Sequence, residues 1–522
     1  MLYSKLKLIR KFVALFFILI TASLFLDIHN LFVEDAAELF LFFQFIPSIL
    51  KFIISPGFIA AGFLVVLVLT ILYGRVYCSF ICPLGILMDI IRFIKRKLLK
   101  VKREKFRFEK PFDKTRYSFL GLVLLLIGLG SLFGIVILDP YSNFGRIVTQ
   151  LLRPIFVFAN NGTVLLLEQG EIYSLKPIAL GGWQPVAFFF SFFFLGLIIY
   201  LVWKKGRLYC NLICPVGTFL GLISKLSIFK IAVDESTCTG CGVCEKVCKS
   251  NCIKSDEKYI DFSRCVGCFN CFDACPTVGL IYNPSLSKIE TKELKTDNSK
   301  RNFLFSIGAF IASSSLVTKA QEKINVYIKN EIPVNRVNPI SPPGSLGIDH
   351  MKNHCTACEL CVSACPTNVL QPSFLEYGFT GMMMPRMDNF SGFCNYDCKI
   401  CGDVCPTGAI LPNSLEGKKL VQVGKAKFIK DNCVVYTQKT DCGACAEHCP
   451  TKAVKMVLDP EVNLRAPVVT EEYCVGCGAC EHICPTIPYK SIWVESNVEH
   501  LAAKFPEQEK LEDVSIEEEF PF

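Results

Sequence analysis

The chain contains no Walker loop, no G-x-G-x-x-G turn and no nucleophile elbow, so nucleotide-driven and serine-nucleophile chemistry have no residues to stand on. Histidine is scarce. Of six, only His29 lies near an apolar segment, so no pair of imidazoles can carry a haem across a bilayer, and no haem is expected. No output domain follows the metal-binding motifs, which argues against a redox-sensing regulator. A small-residue cleavage site after the first apolar run is also missing, so that run is read as an anchor and not as a removed leader. The net charge is +8, but its Lys and Arg crowd beside hydrophobic segments, as topology determinants do. Nucleic acid is therefore not an expected partner.

What the chain has in excess is cysteine and apolar surface. Of 522 residues, 52% are hydrophobic, 44 are Phe and 29 are Cys; the mean hydropathy is +0.41. Disulfides would call for an extracellular, loop-rich chain, yet these cysteines fall into repeated runs. Residues 238 to 275 read Cys238-x2-Cys241-x2-Cys244-x3-Cys248, then Cys265-x2-Cys268-x2-Cys271-x3-Cys275-Pro276. Three thiolates on one tight loop reach three corners of an iron–sulfur cube. In two-cluster ferredoxins the fourth Cys of each run ligates the other cluster. The expected sets are Cys238, Cys241, Cys244 with Cys275, and Cys265, Cys268, Cys271 with Cys248. Zinc commonly uses isolated C-x2-C pairs and does not need two complete runs of four. Cys252 is the odd thiol, expected as a buried non-ligand, with substitution for Cys248 as the alternative.

Four more runs follow: Cys355, Cys358, Cys361, Cys365; Cys394, Cys398, Cys401, Cys405; Cys433, Cys442, Cys445, Cys449; and Cys474, Cys477, Cys480, Cys484. Each ends in Cys-Pro, so sixteen ligands predict four clusters and six in all. The second and third runs open with gaps of three and eight residues, which moves the first ligand without changing the count. Whether runs exchange fourth ligands with neighbours or in nested order is open at this level.

The fold expected is α+β: a polytopic helical membrane domain at 1–230, a two-cluster ferredoxin module at 231–282, a linker at 283–330, a four-cluster module at 331–500 and an acidic tail at 501–522. Lys5, Lys7, Arg10 and Lys11 precede an apolar run at 12–33. Further spans are expected at 56–74, 117–138 and 185–203, with 35–54, broken by Gln44 and Pro47, re-entrant or interfacial. Between Arg92 and Arg116 stand twelve basic residues against Glu104, Glu109 and Asp113. That loop is placed inside, and the segment after 138 outside. Ser299-Lys300-Arg301-Asn302-Phe303-Leu304 and the apolar stretch 305–317 read as a twin-arginine-like export signal, with a fifth span at 303–317 or an ordinary core helix as alternatives.

A repeat sits on two of these spans. Gly74-Arg75-Val76-Tyr77-Cys78-x3-Cys82-Pro83-x-Gly85 recurs as Gly206-Arg207-Leu208-Tyr209-Cys210-x3-Cys214-Pro215-x-Gly217. Each copy offers two thiols one helical turn apart. The two copies either converge on one four-thiolate site or act as separate redox pairs; packing of span ends by small, polarizable groups is the bland alternative.

On these motifs the first 280 residues resemble NapH, the membrane ferredoxin of periplasmic nitrate reductase systems, and the chain from about 299 resembles NapG, its exported four-cluster partner. The resemblance implies an electron carrier in the bacterial inner membrane. It would take electrons from the quinone pool and pass them through six 4Fe-4S clusters to a periplasmic oxidoreductase or small carrier, with residues 331–522 periplasmic. Related pairs serve methylamine dehydrogenase maturation and nitrous oxide reduction, so a maturation factor supplying a partner's metal centre is the alternative. Quinol oxidation wants an acid/base group at a membrane face. The outer-face candidates are Asp27, His29, Glu34, Asp139, Tyr141 and Arg146, with interfacial solvation as the competing explanation and Asp139 favoured because Asp139-Pro140 ends a span abruptly.

Overall fold

Proline and glycine cut the apolar first half into helices of unequal length. The computed structural model describes residues 2–26, 39–100, 106–178, 181, 184–234, 236–277, 279–284, 332–334 and 336–505. The export-signal-like stretch, the possible fifth span, the acidic tail after 505, and Asp27, His29 and Glu34 lie outside the described residues. Helix α1 (Leu2–Leu26) leads, followed by α2 (Phe45–Ile54), α3 (Gly62–Tyr73), α4 (Tyr77–Phe80) and α5 (Pro83–Leu98). Next come α6 (Asp113–Gly128), α7 (Phe133–Leu138), α8 (Pro140–Ile147), a π-helical turn at Val148–Leu152 and α9 (Arg153–Glu168). Helices α10 (Pro185–Lys205), α11 (Leu208–Leu212) and α12 (Pro215–Ser224) complete the membrane domain.

Among the described residues, three helical stretches are long and apolar enough to cross a membrane: Lys5–Leu26, Pro140–Glu168 and Pro185–Lys205. The first and last match expected spans. Those expected at 56–74 and 117–138 are shorter, because a 3-10 turn at Phe58–Ala60 precedes α3 and positive-φ Gly130 separates α6 from α7. The stretch 140–168, expected as part of an outer connection, is helical. The interrupted 35–54 piece supplies α2, which folds back on α3 with Ser48 Oγ donating to the Ala60 carbonyl at 2.8 Å. Exposed Phe12, Leu15, Phe16 and Leu19 on α1, and Phe189, Phe192 and Phe193 on α10, form the apolar exterior a bilayer requires.

Both cysteine-rich modules are built from two-stranded antiparallel pairs and one-turn helices. In the first, β1 (Phe229–Val233) pairs with β4 (Leu280–Pro284), and β2 (Ile253–Lys254) with β3 (Tyr259–Ile260). The larger module pairs β5 (Leu370–Pro372) with β6 (Pro385–Met387), β7 (Val421–Phe428) with β10 (Ile492–Ala502), and β8 (Val454–Asp459) with β9 (Leu464–Val469). The modules contact opposite ends of α1. Lys7 pairs with Asp273 of the first. Near the other end, Phe25 packs on Tyr141 at 5.8 Å between ring centroids, in the same apolar core as Cys358 of the second. A helix of 25 residues separates those contacts by roughly 30 Å at 1.5 Å per residue.

Candidate electron-transfer sites

In each regular run the residues flanking the second cysteine both take positive φ: Gly240 and Gly242, Gly267 and Phe269, Ala357 and Glu359, Gly476 and Gly478. This double reversal curls the loop so that three thiols face one box, then starts a short helix carrying the third cysteine. The runs beginning at Cys394 and Cys433, with their altered first gaps, have no such reversals. Local spacing thus dictates loop conformation.

The two runs of the first module exchange their fourth cysteines. One cavity is lined by Cys238, Cys241, Cys244 and Cys275, another by Cys265, Cys268, Cys271 and Cys248, with Cys252 on its wall. Cys252 Sγ stands 3.4 Å from Cys248 Sγ. The hydrogen bond shared with Cys252, with amide bonds from Cys252 and Ser250, pulls the Cys248 thiol down, against burial. Cys252 thus stands against Cys248 on the wall of the same cavity.

In the larger module the exchange runs between neighbours, the choice the spacing left open. Cys355, Cys358 and Cys361 gather with Cys405, whereas Cys394, Cys398 and Cys401 gather with Cys365 around one cavity. Cys433, Cys442 and Cys445 gather with Cys484, and Cys474, Cys477 and Cys480 with Cys449. The Cys394 amide donates to the Cys477 carbonyl at 2.9 Å, joining the two halves.

These donor sets suit a polynuclear centre. Among the described residues no three His, Cys, Asp or Glu side chains converge on a point that a single ion would fill. Burial pushes Cys355, Cys445 and Cys477 up to about 12; thiols so placed give their protons up to a metal centre and not to water. Amides already aim at sulfur, as from Ala357 to Cys355 at 3.3 Å and from Ile410 to Cys405 at 3.4 Å.

The two Cys-x3-Cys-Pro copies meet around a quasi-twofold axis. All four thiols, Cys78, Cys82, Cys210 and Cys214, are buried. Arg75 donates to the Cys210 carbonyl at 2.9 Å, and Arg207 to that of Cys78 at 2.7 Å. Gly85 and Gly217 let the helices after each Cys-Pro close in: a Cβ at either would lie 2.3 Å from the carbonyl of Cys78 or Cys210. The copies also share their seat on the first module. Ser79 donates to the Val266 carbonyl at 2.7 Å, and its counterpart Asn211 to that of Ser250 at 3.3 Å. Arg75 further binds the Ser263 carbonyl at 2.9 Å. Asp89 has no repeat counterpart, since Gly221 stands there to admit Arg116. It pairs with Arg207 at 2.8 Å, Lys249 at 2.5 Å and Arg10 at 2.9 Å. Burial opposes its charge, yet these three cations hold the carboxyl well below the usual range.

Helix α8 forms the seat for the larger module. A Cβ at Gly145 would lie 2.4 Å from the Cys358 carbonyl. Gln150 donates to Glu359 at 2.6 Å, and Arg153 to the Ser363 carbonyl at 3.0 Å. Burial pushes the Glu359 carboxyl up to about 7. This contact corrects the expectation for Asp139, Tyr141 and Arg146. Each is 1% exposed, so interfacial solvation does not explain them. Asp139 caps α8, accepting from Ser142 N at 2.8 Å and Ser142 Oγ at 2.7 Å. Arg146 donates to Asn143 Oδ1 at 3.0 Å and to the Val136 carbonyl. Nearby, a cavity is walled by Leu41, Phe42, Ser48 and Lys51 from the membrane domain and by Asp403, Cys405 and Pro406 from the module. Glu359, Asp89 and this cavity were not expected, because each exists only where remote segments meet.

One apolar core joins these sites. It contains Val266, with Cys268 packed against it, the four thiols of the repeat, Phe25, Tyr141 and Cys358.

Comparison with known proteins follows the same divisions. A family model described as a 4Fe-4S binding domain matches residues 55–101 and again 186–233, the two repeat copies. A 4Fe-4S dicluster domain matches 237–278 and 439–487, and another 4Fe-4S binding domain matches 348–371. An uncharacterised protein of Methanocaldococcus jannaschii is 28% identical over 262 residues, 48% of this chain and 93% of the relative. A methylamine utilization ferredoxin-type protein, MauN of Methylorubrum extorquens, is 30% identical over 35% of this chain and 51% of its own length. The ferredoxin-type protein NapH of Haemophilus influenzae is 26% identical over 41% of this chain and 63% of its own. No solved structure matches.

Proposed function

Because this chain is a membrane protein with a NapH-like, ferredoxin-type sequence and several 4Fe-4S domains, we propose that it oxidises quinol and relays electrons through six 4Fe-4S clusters to a periplasmic reductase or carrier. The ligand sets are the six groups of four cysteines described above, and the clusters supply reversible one-electron storage when bound. The observation that carries the reading is the attachment of the two modules to opposite ends of α1 through one continuous core.

Contacts order the relay. The set at Cys238 is followed by that at Cys265, which touches the repeat. Across the membrane domain stands the set at Cys355, then that at Cys394, which meets the set at Cys474 through Cys394 and Cys477. The set at Cys433 ends the series beside exposed Lys439 and Asp441. At the opposite end Cys241 is exposed, which suits a partner's approach.

Four spans fit the contacts: α1, α3 with its preceding turn, α6 with α7, and α10. On this reading the stretch 140–168 goes with the larger module to the outer side; contacts of Gly145, Arg153 and Gly181 with that module support it. The cavity beside Cys405 is the quinol site we favour. Leu41 and Phe42 suit a ring entering from the bilayer, while Asp403 suits one of its hydroxyl groups. Oxidation releases two electrons, taken one at a time by the adjacent clusters, and two protons to outside water.

Mixing the anaerobic, oxidised full chain with a reduced short-chain quinol tests this. Bleaching of the cluster absorption is expected, and Ser48→Phe, which fills the cavity, should abolish it; no bleaching in the parent rejects the quinol reading. The MauN likeness keeps a maturation role as the second reading. An artificial donor restores a partner that lacks only its carrier and does not restore one that was never matured.

A further inference from the structure

The six cluster sets leave the repeat unused, although it occupies the middle of the core. We infer that Cys78, Cys82, Cys210 and Cys214 together hold a seventh iron–sulfur cluster, a [4Fe-4S] centre shared between the two repeat copies.

Four observations carry this. The thiols come from two separate segments, all four are buried in one core, and the copies are tied face to face by Arg75 on the Cys210 carbonyl and Arg207 on that of Cys78. They do not converge on one point, which a mononuclear ion would need, and in this they match the six other sets. Cys82 and Cys214 stand at the starts of helices opened by Pro83 and Pro215, and Gly217 N donates to Cys214 Sγ at 3.3 Å. Arg75 Nη2 stands 3.9 Å from Cys78 Sγ, and with Arg207 it places two buried cations beside the cage. Four thiolates around a cubane would leave a net charge of about −2 or −3; Arg75, whose hydrogen-bond acceptors are neutral, would offset part of it inside a low-dielectric core.

The position gives the centre its role. Ser79, one residue past Cys78, binds the Val266 carbonyl beside Cys265. On the other side Tyr209 Oη donates to the Leu138 carbonyl at 2.9 Å, and Asp139 and Tyr141 follow toward Cys358. A cluster held by these four cysteines would supply one-electron storage between the two neighbouring sets, with no bond made and no proton moved. The two modules thereby become one conductor through a hydrocarbon layer of about 30 Å, too wide for a single step.

Iron and acid-labile sulfide counted per anaerobically purified full chain test this independently of any quinol. Seven cubanes give about 28 irons and six give about 24. Cys78→Ser with Cys210→Ser should lower the count by about four irons and remove one Mössbauer component, leaving the rest intact. A loss of about two would uphold the site with a binuclear cluster. An iron count of about 24 in the parent, with the four residues alkylated as free thiols or recovered as bridged pairs, would overturn it. Should the double variant fail to fold, the parent's own count and its Mössbauer spectrum decide.

Discussion

Arg207 holds the Cys78 carbonyl at 2.7 Å while its other face pairs with Asp89 at 2.8 Å. One side chain therefore ties the second repeat copy to the first and, through Asp89, to Arg10 of α1 and Lys249 of the first cysteine-rich module.

Removing one member of a buried ion pair leaves the others uncompensated. Asp89→Asn should destabilise the membrane domain by about 3–5 kcal/mol, seen as a lower unfolding midpoint in detergent. Arg75 binds neutral acceptors on Cys210, Asn211 and Ser263, so Arg75→Ala should cost less, about 1–3 kcal/mol. Equal losses would show that Asp89 is not the centre of the network.

Gly85→Ala and Gly217→Ala place a Cβ 2.3 Å from a backbone carbonyl that cannot swing away. Both should reduce folded yield and the thermal midpoint. Gly121→Ala, with nothing within 4 Å of the added carbon, should stabilise its helix by up to about 1 kcal/mol.

Neighbour exchange predicts crossed phenotypes. Cys405→Ser should perturb the cluster whose other ligands are Cys355, Cys358 and Cys361; Cys365→Ser should perturb that of Cys394, Cys398 and Cys401. Electron paramagnetic resonance of the reduced variants distinguishes this from a pairing within runs, in which the two assignments reverse.

Gly145→Leu should lift the larger module from α8, since Cys358 and Phe25 leave no room for a side chain. The expected result is a chain that keeps its full iron content but loses electron exchange between the modules, followed by stopped-flow absorbance after reduction of one end. Unchanged exchange would place the junction elsewhere.

His500 lies half-buried against Ser341 at 2.8 Å. Burial, with His350 nearby, pushes its imidazole down to about 4. Its neutral form is the one the fold accepts, so stability is complete above about pH 6.5 and falls as pH drops toward 4. The loss is at most about 3 kcal/mol, and His500→Gln should flatten this part of the stability–pH curve for the larger module.

The cysteine runs were legible because cluster ligation needs a few thiols at short, fixed separations. The Arg-Tyr-Cys-Cys-Pro repeat was legible as a pattern, though its convergence was not. Span boundaries were harder, since the apolar stretch around Gly130 reads as continuous until the helix breaks there. Asp139 was noticed for ending a span; its cap on the next helix, accepting from Ser142, is local, whereas its burial to 1% exposure depends on segments that meet only in the fold.

Sequence by itself determined the local chemistry: which cysteines form tight loops, which helices are apolar, and that two copies of one motif end two of them. Tertiary structure decided which loop lends its fourth cysteine to which neighbour, that the two copies face each other, and that Gly145 and Ser79 seat the modules at opposite ends of one core. The reason is range. Backbone conformation and ligand spacing act over a few residues, whereas shared thiolate sites, arginine crossings and buried carboxylates arise from segments that meet only once the chain has packed.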